Sequence, residues 1–383
     1  MRALLAPLVC CVACAGRSSQ PPAVAGSPTS PAQNISVPRT VVTPERATSL
    51  EELYREAELE RARGELARAV FLFDRIAALD PAGEWGPRAL LRAAELSEQL
   101  GDRYGAVGRL EQVCRRYPGH ESEVEALVRS VRLLAFLEQW DRAGRAAARV
   151  LEHTADLSPV QQVLAYGARG LGLLFGGDPE AAERVIEKGR SVIDQYQLDR
   201  AGRVPSDLAP LYFALGELRR WRAERIRFVP VPTNFGAVLE QRCQLLLDAQ
   251  SAYSDVMRAY DAHWSAMAGY RVGELYQSLH EDLMRVPPPA TADTPARRQL
   301  FEGAMRLRYA VLLQKAKAMM DHTLAMVERT GERSEWVLKT RDARATIEQQ
   351  IDRENAALDA LPYSRLELQA ALDELAQRSR DAD

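Results

Sequence analysis

Small residues return at a fixed interval through the first half of this chain, and that return limits the fold more than any other feature of the sequence. Gly64, Gly101 and Glu138 stand 37 residues apart, and so do Ala69, Ala106 and Ala143; Phe73, Leu110 and Ala147; and Ile76, Val113 and Val150. A fourth set, Gly177, Ala182, Ile186 and Gly189, follows after a step of 39. Self-similarity on this scale signals stacked supersecondary units rather than one globular core. In the unit beginning at Leu50, Ala57 and Ala69 are small because two helix axes cross where their side chains meet. Gly64 lets the chain leave the first helix without a Cβ penalty, and Pro81 stops the second. A lone helical hairpin leaves an apolar face uncovered, so each unit needs a neighbour.

The run of Ala57, Gly64, Ala69, Phe73, Ile76 and Pro81 resembles the tetratricopeptide repeat, and the likeness extends over about Leu50 to Gln197. It implies an all-α fold, a solenoid of helix-turn-helix hairpins with four repeats in residues 49–198. Their packing positions are Ala57, Gly64, Ala69, Gly101, Ala106, Ala143, Gly177 and Ala182. In this family the first helices of successive repeats line a concave groove that takes protein partners. The corresponding inward positions are Glu51, Tyr54, Glu58 and Arg61, then Arg88, Leu91, Glu95 and Glu98, then Glu125, Val128, Arg132 and Ala135. The resemblance therefore points to Tyr54 and Leu91 as apolar anchors and to Arg61, Arg88 and Arg132 as partners for carboxylates. Chaperone cofactors of the family clamp a terminal carboxylate with Lys and Asn where this chain has Tyr54 and Glu58, so that activity is not implied.

Residues 206–330 keep the hairpin pattern but stretch it. Tyr212, Leu215 and Gly216 answer to Ala249, Tyr253 and Val256 across Phe228–Asn234, a proline-rich insertion that no helix can cross. Val272, Gly273 and Tyr276 answer to Ala316, Met320 and Thr323 across the loop from Val286 to Pro295. Core packing is the expectation for the aromatic residues here, Trp221, Tyr253, Tyr260, Trp264, Tyr270 and Tyr276. In 331–383, Trp336, Ala343, Ile347 and Ile351 share a helical face. Ser364 and Glu367 have capping-box spacing, with Leu366, Ala370 and Leu375 behind them as the buried face of a helix that caps the solenoid.

The amino terminus addresses the compartment. Met1 and Arg2 precede an apolar run, Ala3 to Ala13, that is too short to span a bilayer and fits an export signal over residues 1–13. Cys11-Val12-Ala13-Cys14 resembles a bacterial lipobox, departing from it only where Cys11 replaces the usual aliphatic residue. The resemblance implies lipidation of Cys14 and, with Ala15 following, an outer-membrane location facing the periplasm. Residues 14–48 are Pro, Ser, Gly and Ala with almost no large apolar side chain, the composition of a disordered tether. Its reach is on the order of 30 Å. Cys114 and Cys243 are too far apart in the pattern to read as a disulfide and are expected as separate thiols.

Little in the sequence points to chemistry. Charged residues make up 27% of the chain at a net charge of −3, without the basic excess of a nucleic-acid binder. The five histidines are scattered, and His280-Glu281-Asp282 cannot converge on a metal because adjacent helical positions diverge. The glycine-dense run Gly167, Gly170, Gly172, Gly176 and Gly177 lacks nucleotide-loop spacing and is read as close helix packing. No catalytic residue, metal site or cofactor is expected. The expected function is a lipid-anchored scaffold binding protein partners of a cell-envelope complex for assembly, secretion or motility. Two alternatives are a cell-wall enzyme or enzyme accessory active in 206–330, and a soluble periplasmic ligand-binding protein.

Overall fold

The computed structural model describes residues 49–200 and 204–370. The expected export signal and tether, Cys14, Leu375 and the last residues of the chain lie outside them. Among the described residues all regular structure is helical. Thirteen α-helices follow one another: α1 (Leu50–Ala62), α2 (Leu66–Leu79), α3 (Trp85–Gln99), α4 (Arg103–Arg116), α5 (Ser122–Phe136), α6 (Trp140–Val150), α7 (Pro159–Phe175), α8 (Pro179–Tyr196), α9 (Ala209–Glu224), α10 (Phe235–Met257), α11 (Ala262–Met284), α12 (Pro295–Thr330) and α13 (Glu335–Asp359). Short 3-10 turns precede α7 (Leu151–Asp156) and α9 (Ser206–Leu208). A further helical stretch begins at 365. The fold is an all-α solenoid of hairpins.

Four hairpins, α1/α2, α3/α4, α5/α6 and α7/α8, close on one repeated turn. Gly64, Gly101 and Gly177 adopt φ of +83°, +83° and +84°, and Glu138 holds the same left-handed place at +56°. In each, the amide after the left-handed residue reaches back five residues: Glu65 to Glu60, Asp102 to Ser97, Gln139 to Leu134, Asp178 to Leu173. That bond satisfies a carbonyl the helix end would otherwise leave free. Ala57, Ala69, Ala106, Ala143 and Ala182 are fully buried at the crossings, as are Phe73 and Ile76.

Of the glycine-dense run, Gly167, Gly170 and Gly172 belong to α7, where neighbouring backbones come into direct approach, whereas Gly176 and Gly177, expected as helix packing, form the turn that follows α7. A Cβ on Gly172 would lie 2.7 Å from the Cα of Gly144 on α6, and one on Gly167 would lie 2.4 Å from the amide nitrogen of Leu211 on α9. A Cβ on Gly170 would meet the Ile186 side chain at 2.7 Å. Every larger residue would hold α6, α8 or α9 away.

Beyond α8 the hairpins lengthen to α9/α10 and α11/α12, and α13 packs along α12 and α11. Gly216 gives way to the ring of Tyr253 and Gly273 to Met320. One apolar cluster runs without a break from Leu53 to Ile347. Two expectations about buried faces are corrected. Of the aromatic residues assigned to the core, Tyr253, Trp264 and Tyr276 are buried, but Tyr260 is 71% exposed at the α10–α11 corner and Trp221 carries the Arg225 guanidinium on the outer side of α9. In the last segment the Ser364–Glu367 capping box forms, yet Leu366 is 83% exposed and Ala370 is exposed, while Leu368 is fully buried. The notch left by Gly303 on α12 receives Leu368, and Leu366, two residues earlier, points about 200° away around the helix.

Candidate functional site

The inward faces of α1, α3 and α5 carry a ladder of alternating charge. Arg92 lies 2.9 Å from Glu95 and 3.8 Å from Glu58; Arg129 lies 2.9 Å from Glu125 and 3.9 Å from Glu95. Helical periodicity puts these residues on one stripe of each helix, and the hairpin repeat brings the stripes side by side. The bond from Glu95 holds the Arg92 guanidinium above its ordinary range, against the opposing effect of burial. Pairs of this kind at a wet surface are each worth under about 1 kcal/mol, so an incoming carboxylate or guanidinium can exchange into them at little penalty.

The candidate residues divide into those on this ladder and those already engaged. Arg61 bonds Glu58 at 2.7 Å beside the ladder. Arg88 bonds Glu121, at the start of the third hairpin, at 3.0 Å. Tyr54 packs its ring 5.2 Å from both Phe73 and Trp85, half-buried in the joint between hairpins. Leu91 is likewise half-buried against the core. Arg132 differs from the rest, because both oxygens of Asp207, in the 3-10 turn before α9, accept from its guanidinium at 2.8 and 2.7 Å. Val128 and Ala135 on the same face are buried. At Arg132 the inward face of the third hairpin is thus taken up by a later part of this chain, and the open stretch is that of α1, α3 and the beginning of α5 with Glu125 and Arg129. Sequence spacing missed Arg92 and Arg129, which lie one residue beyond Leu91 and Val128. The alternation of sign among Glu58, Arg92, Glu95, Arg129 and Glu125 was the signal.

Two further polar regions lie elsewhere. Glu217, buried on α9, accepts from Tyr253 Oη at 2.8 Å and from both Nε and Nη2 of Arg220, the latter at 2.8 Å. Arg271 Nε sits 2.9 Å from the same carboxylate without aiming its N–H at it, and bonds Glu274 through Nη1 at 2.7 Å. Burial and the Glu217 charge push the Tyr253 phenol well above its usual range. This carboxylate spends its acceptor capacity tying α9, α10 and α11 together, the arrangement a buried charge requires. Between α2, α3 and α4 a cleft of about 460 Å³ opens where Gly105 and Gly108 lack side chains, floored by Asp74 and Arg109 in a bidentate pair. Cys114 and Cys243 are free thiols, and burial pushes the Cys114 thiol up to about 11.

Among the described residues no helix is long and apolar enough to cross a membrane, and no group of three or more His, Cys, Asp or Glu side chains gathers as a metal site would need.

Stacked hairpins presenting one helix of each pair along a shared charged face define a helical-repeat scaffold for protein–protein interaction. Residues 88–120, the second hairpin with its following turn, match the family model described as Tetratricopeptide repeat. The chain carries tetratricopeptide repeats. No curated protein matches it. Solved structures that resemble it include a tetratricopeptide repeat protein from Parabacteroides merdae, 11% identical at a TM-score of 0.41, covering 78% of this chain and 98% of that one. Another is the C-terminal part of a TPR repeat-containing protein from Cytophaga hutchinsonii, 13% identical at a TM-score of 0.33, covering 75% and 98%. The matched segment and the fourfold turn carry the family; superpositions this distant do not.

Proposed function

We propose that this protein is a non-enzymatic scaffold, lipid-anchored through Cys14 to the outer membrane and facing the periplasm, which binds protein partners of a cell-envelope complex through the inward faces of α1 and α3. The observation that carries the binding surface is the open ladder from Glu58 through Arg92 and Glu95 to Arg129 and Glu125, flanked by Arg61 and Arg88. Its mixed signs suit a peptide or helix bearing both charges beside a few apolar side chains that meet Tyr54 and Leu91. The anchor is supported by the lipobox-like Cys11-Val12-Ala13-Cys14 and by the low-apolar residues that follow it.

Cross-linking in living cells from probes placed at Arg61 and Arg88 tests the surface. Specific partners should be captured, and Arg92→Glu should abolish their capture while leaving the fold intact; capture that survives the charge reversal removes α1 and α3 from the interface. Metabolic lipid labelling tests the anchor, since label present on the wild-type chain should be absent from Cys14→Ala. Identical labelling of the two would end that part of the proposal.

A further inference from the structure

The turn of the third hairpin is where the chain folds back on itself. Phe136 at the end of α5 stacks on the ring of His263 at the start of α11, with centroids 4.0 Å apart. The Arg103 guanidinium, at the start of α4, lies 4.3 Å from the same Phe136 centroid. One face of a ring cannot hold both groups, so Arg103 and His263 sandwich Phe136. Beside them Trp336, at the start of α13, donates its indole N–H to Glu138 at 2.5 Å. Glu138 is the one of the four hairpin-turn residues that is not glycine, and its carboxylate is what the returning helix bonds.

His263 is 5% exposed and neither of its ring nitrogens has a hydrogen-bond partner. Three carboxylates face it: Glu138 from the α5–α6 turn, Glu332 from the α12–α13 corner and Asp261 from the cap of its own helix. Each is committed elsewhere. Glu138 accepts from Trp336, Glu332 from the Ser334 amide at 2.8 Å, and Asp261 from the Trp264 amide at 3.0 Å. The remaining charge in reach, Arg103, is of the sign a protonated imidazole would repel. A proton on His263 would therefore place a second cation on Phe136 with no acceptor aimed at either N–H. Burial outweighs the three carboxylates and holds the imidazole below its usual range.

We propose that this corner is an acid-released latch: protonation of His263 loosens the seam in which the start of α11 and the α12–α13 corner rest on the third hairpin, and so uncovers Phe136 and Glu138 at the turn of that hairpin. A group with its folded pKa depressed leaves stability untouched above the ordinary histidine value and removes it as pH falls below that value. Release is thus expected through the mildly acidic range and not at neutral pH.

Hydrogen exchange of the full chain, corrected for intrinsic rates, at about pH 7.5 and about pH 5.5 reads the seam directly. Protection in residues 261–268 and 332–340 should fall several-fold at the lower pH, towards the ceiling of about tenfold that one imidazole with an ordinary open-state pKa allows, while α2 keeps its own. His263→Phe, which keeps the stack but cannot charge, should hold its protection at both. The proposal is overturned if the wild-type seam keeps its protection on acidification, or if His263→Phe loses as much as wild type. Should that variant fail to fold, Arg103→Met decides: removing the second cation should move the release midpoint to lower pH, and an unmoved midpoint overturns the proposal. His280→Phe, altering the other buried histidine with a depressed pKa, should leave the loss intact; a loss abolished by His280→Phe assigns the proton elsewhere and overturns it too. No arm depends on a partner, so the outcome is separate from that of the scaffold proposal.

Discussion

Replacing one glycine in α4 and one in α7 by alanine should change stability in opposite directions, although both sit in the middle of helices. In an unobstructed helix interior the exchange is worth about 1 kcal/mol in favour of alanine, which loses less backbone freedom on folding. A Cβ on Gly108 has no heavy atom within 4 Å, so Gly108→Ala should gain that full amount. A Cβ on Gly167 would stand 2.4 Å from the Leu211 amide nitrogen, 2.7 Å from the Pro210 carbonyl carbon and 2.8 Å from the Leu211 Cα. Contacts between heavy atoms relax to about 3.5–4 Å, so α9 must back away by about 1 Å. The obstruction is backbone and cannot rotate aside, which puts the penalty near the upper end of the overpacking range, about 3 kcal/mol. After the propensity gain, Gly167→Ala should lose about 2 kcal/mol, leaving about 3 kcal/mol between the two variants. Urea unfolding followed by circular dichroism should separate their midpoints by about 1 M or more at similar slopes. Finding Gly167→Ala as stable as Gly108→Ala would refute the claim that α7 is glycine-rich because α9 lies against its backbone.

Other substitutions probe the charged and strained positions. Arg242 is 2% exposed with a single 3.4 Å contact to Asp282, a carboxylate that also has Arg285 at 3.0 Å, so Arg242→Met should raise stability by about 1 kcal/mol in thermal melts. Asp207→Ala frees Arg132 and should leave global stability within about 1 kcal/mol, yet increase exchange at the start of α9; unchanged exchange would show that this pair does not hold the turn. Glu138→Gly should relieve about 1 kcal/mol of left-handed strain and lose the charged acceptor of Trp336, so the third hairpin turn should exchange more slowly while α13 exchanges faster. Cys114, with its thiol at about 11, should react with iodoacetamide at about pH 8 on the order of a hundredfold more slowly than an unperturbed thiol, as read by peptide mapping.

The parts of this fold that repeat were open to reading from the sequence, because each repeat restates the same local problem. Gly64, Gly101, Glu138 and Gly177 all occupy left-handed turns, and the buried alanines fall at the spacing their interval implies. Gly167, Gly170 and Gly172 of α7 were legible too, since close packing demands small residues whatever the partner helix. Contacts across the molecule were not. Nothing local to Arg132 announces Asp207, and nothing in Phe136 announces His263, because periodicity describes which face a residue takes and not what arrives on it. Leu366 and Leu368 show the same gap at short range: the capping box was readable, but the choice between two leucines was made by a missing side chain at Gly303, far earlier in the chain.

The bond from Trp336 to Glu138 joins residues 198 positions apart. Bringing ends together over that distance forfeits chain entropy on the order of 5 kcal/mol, far more than one indole N–H returns. The ring can close only after the intervening helices have condensed and shortened the gap, so it should be the last step of folding and the first to yield. The first two hairpins stay outside this ring and should assemble and fray like an ordinary linear array, whereas everything between the third hairpin and α13 should rise and fall together.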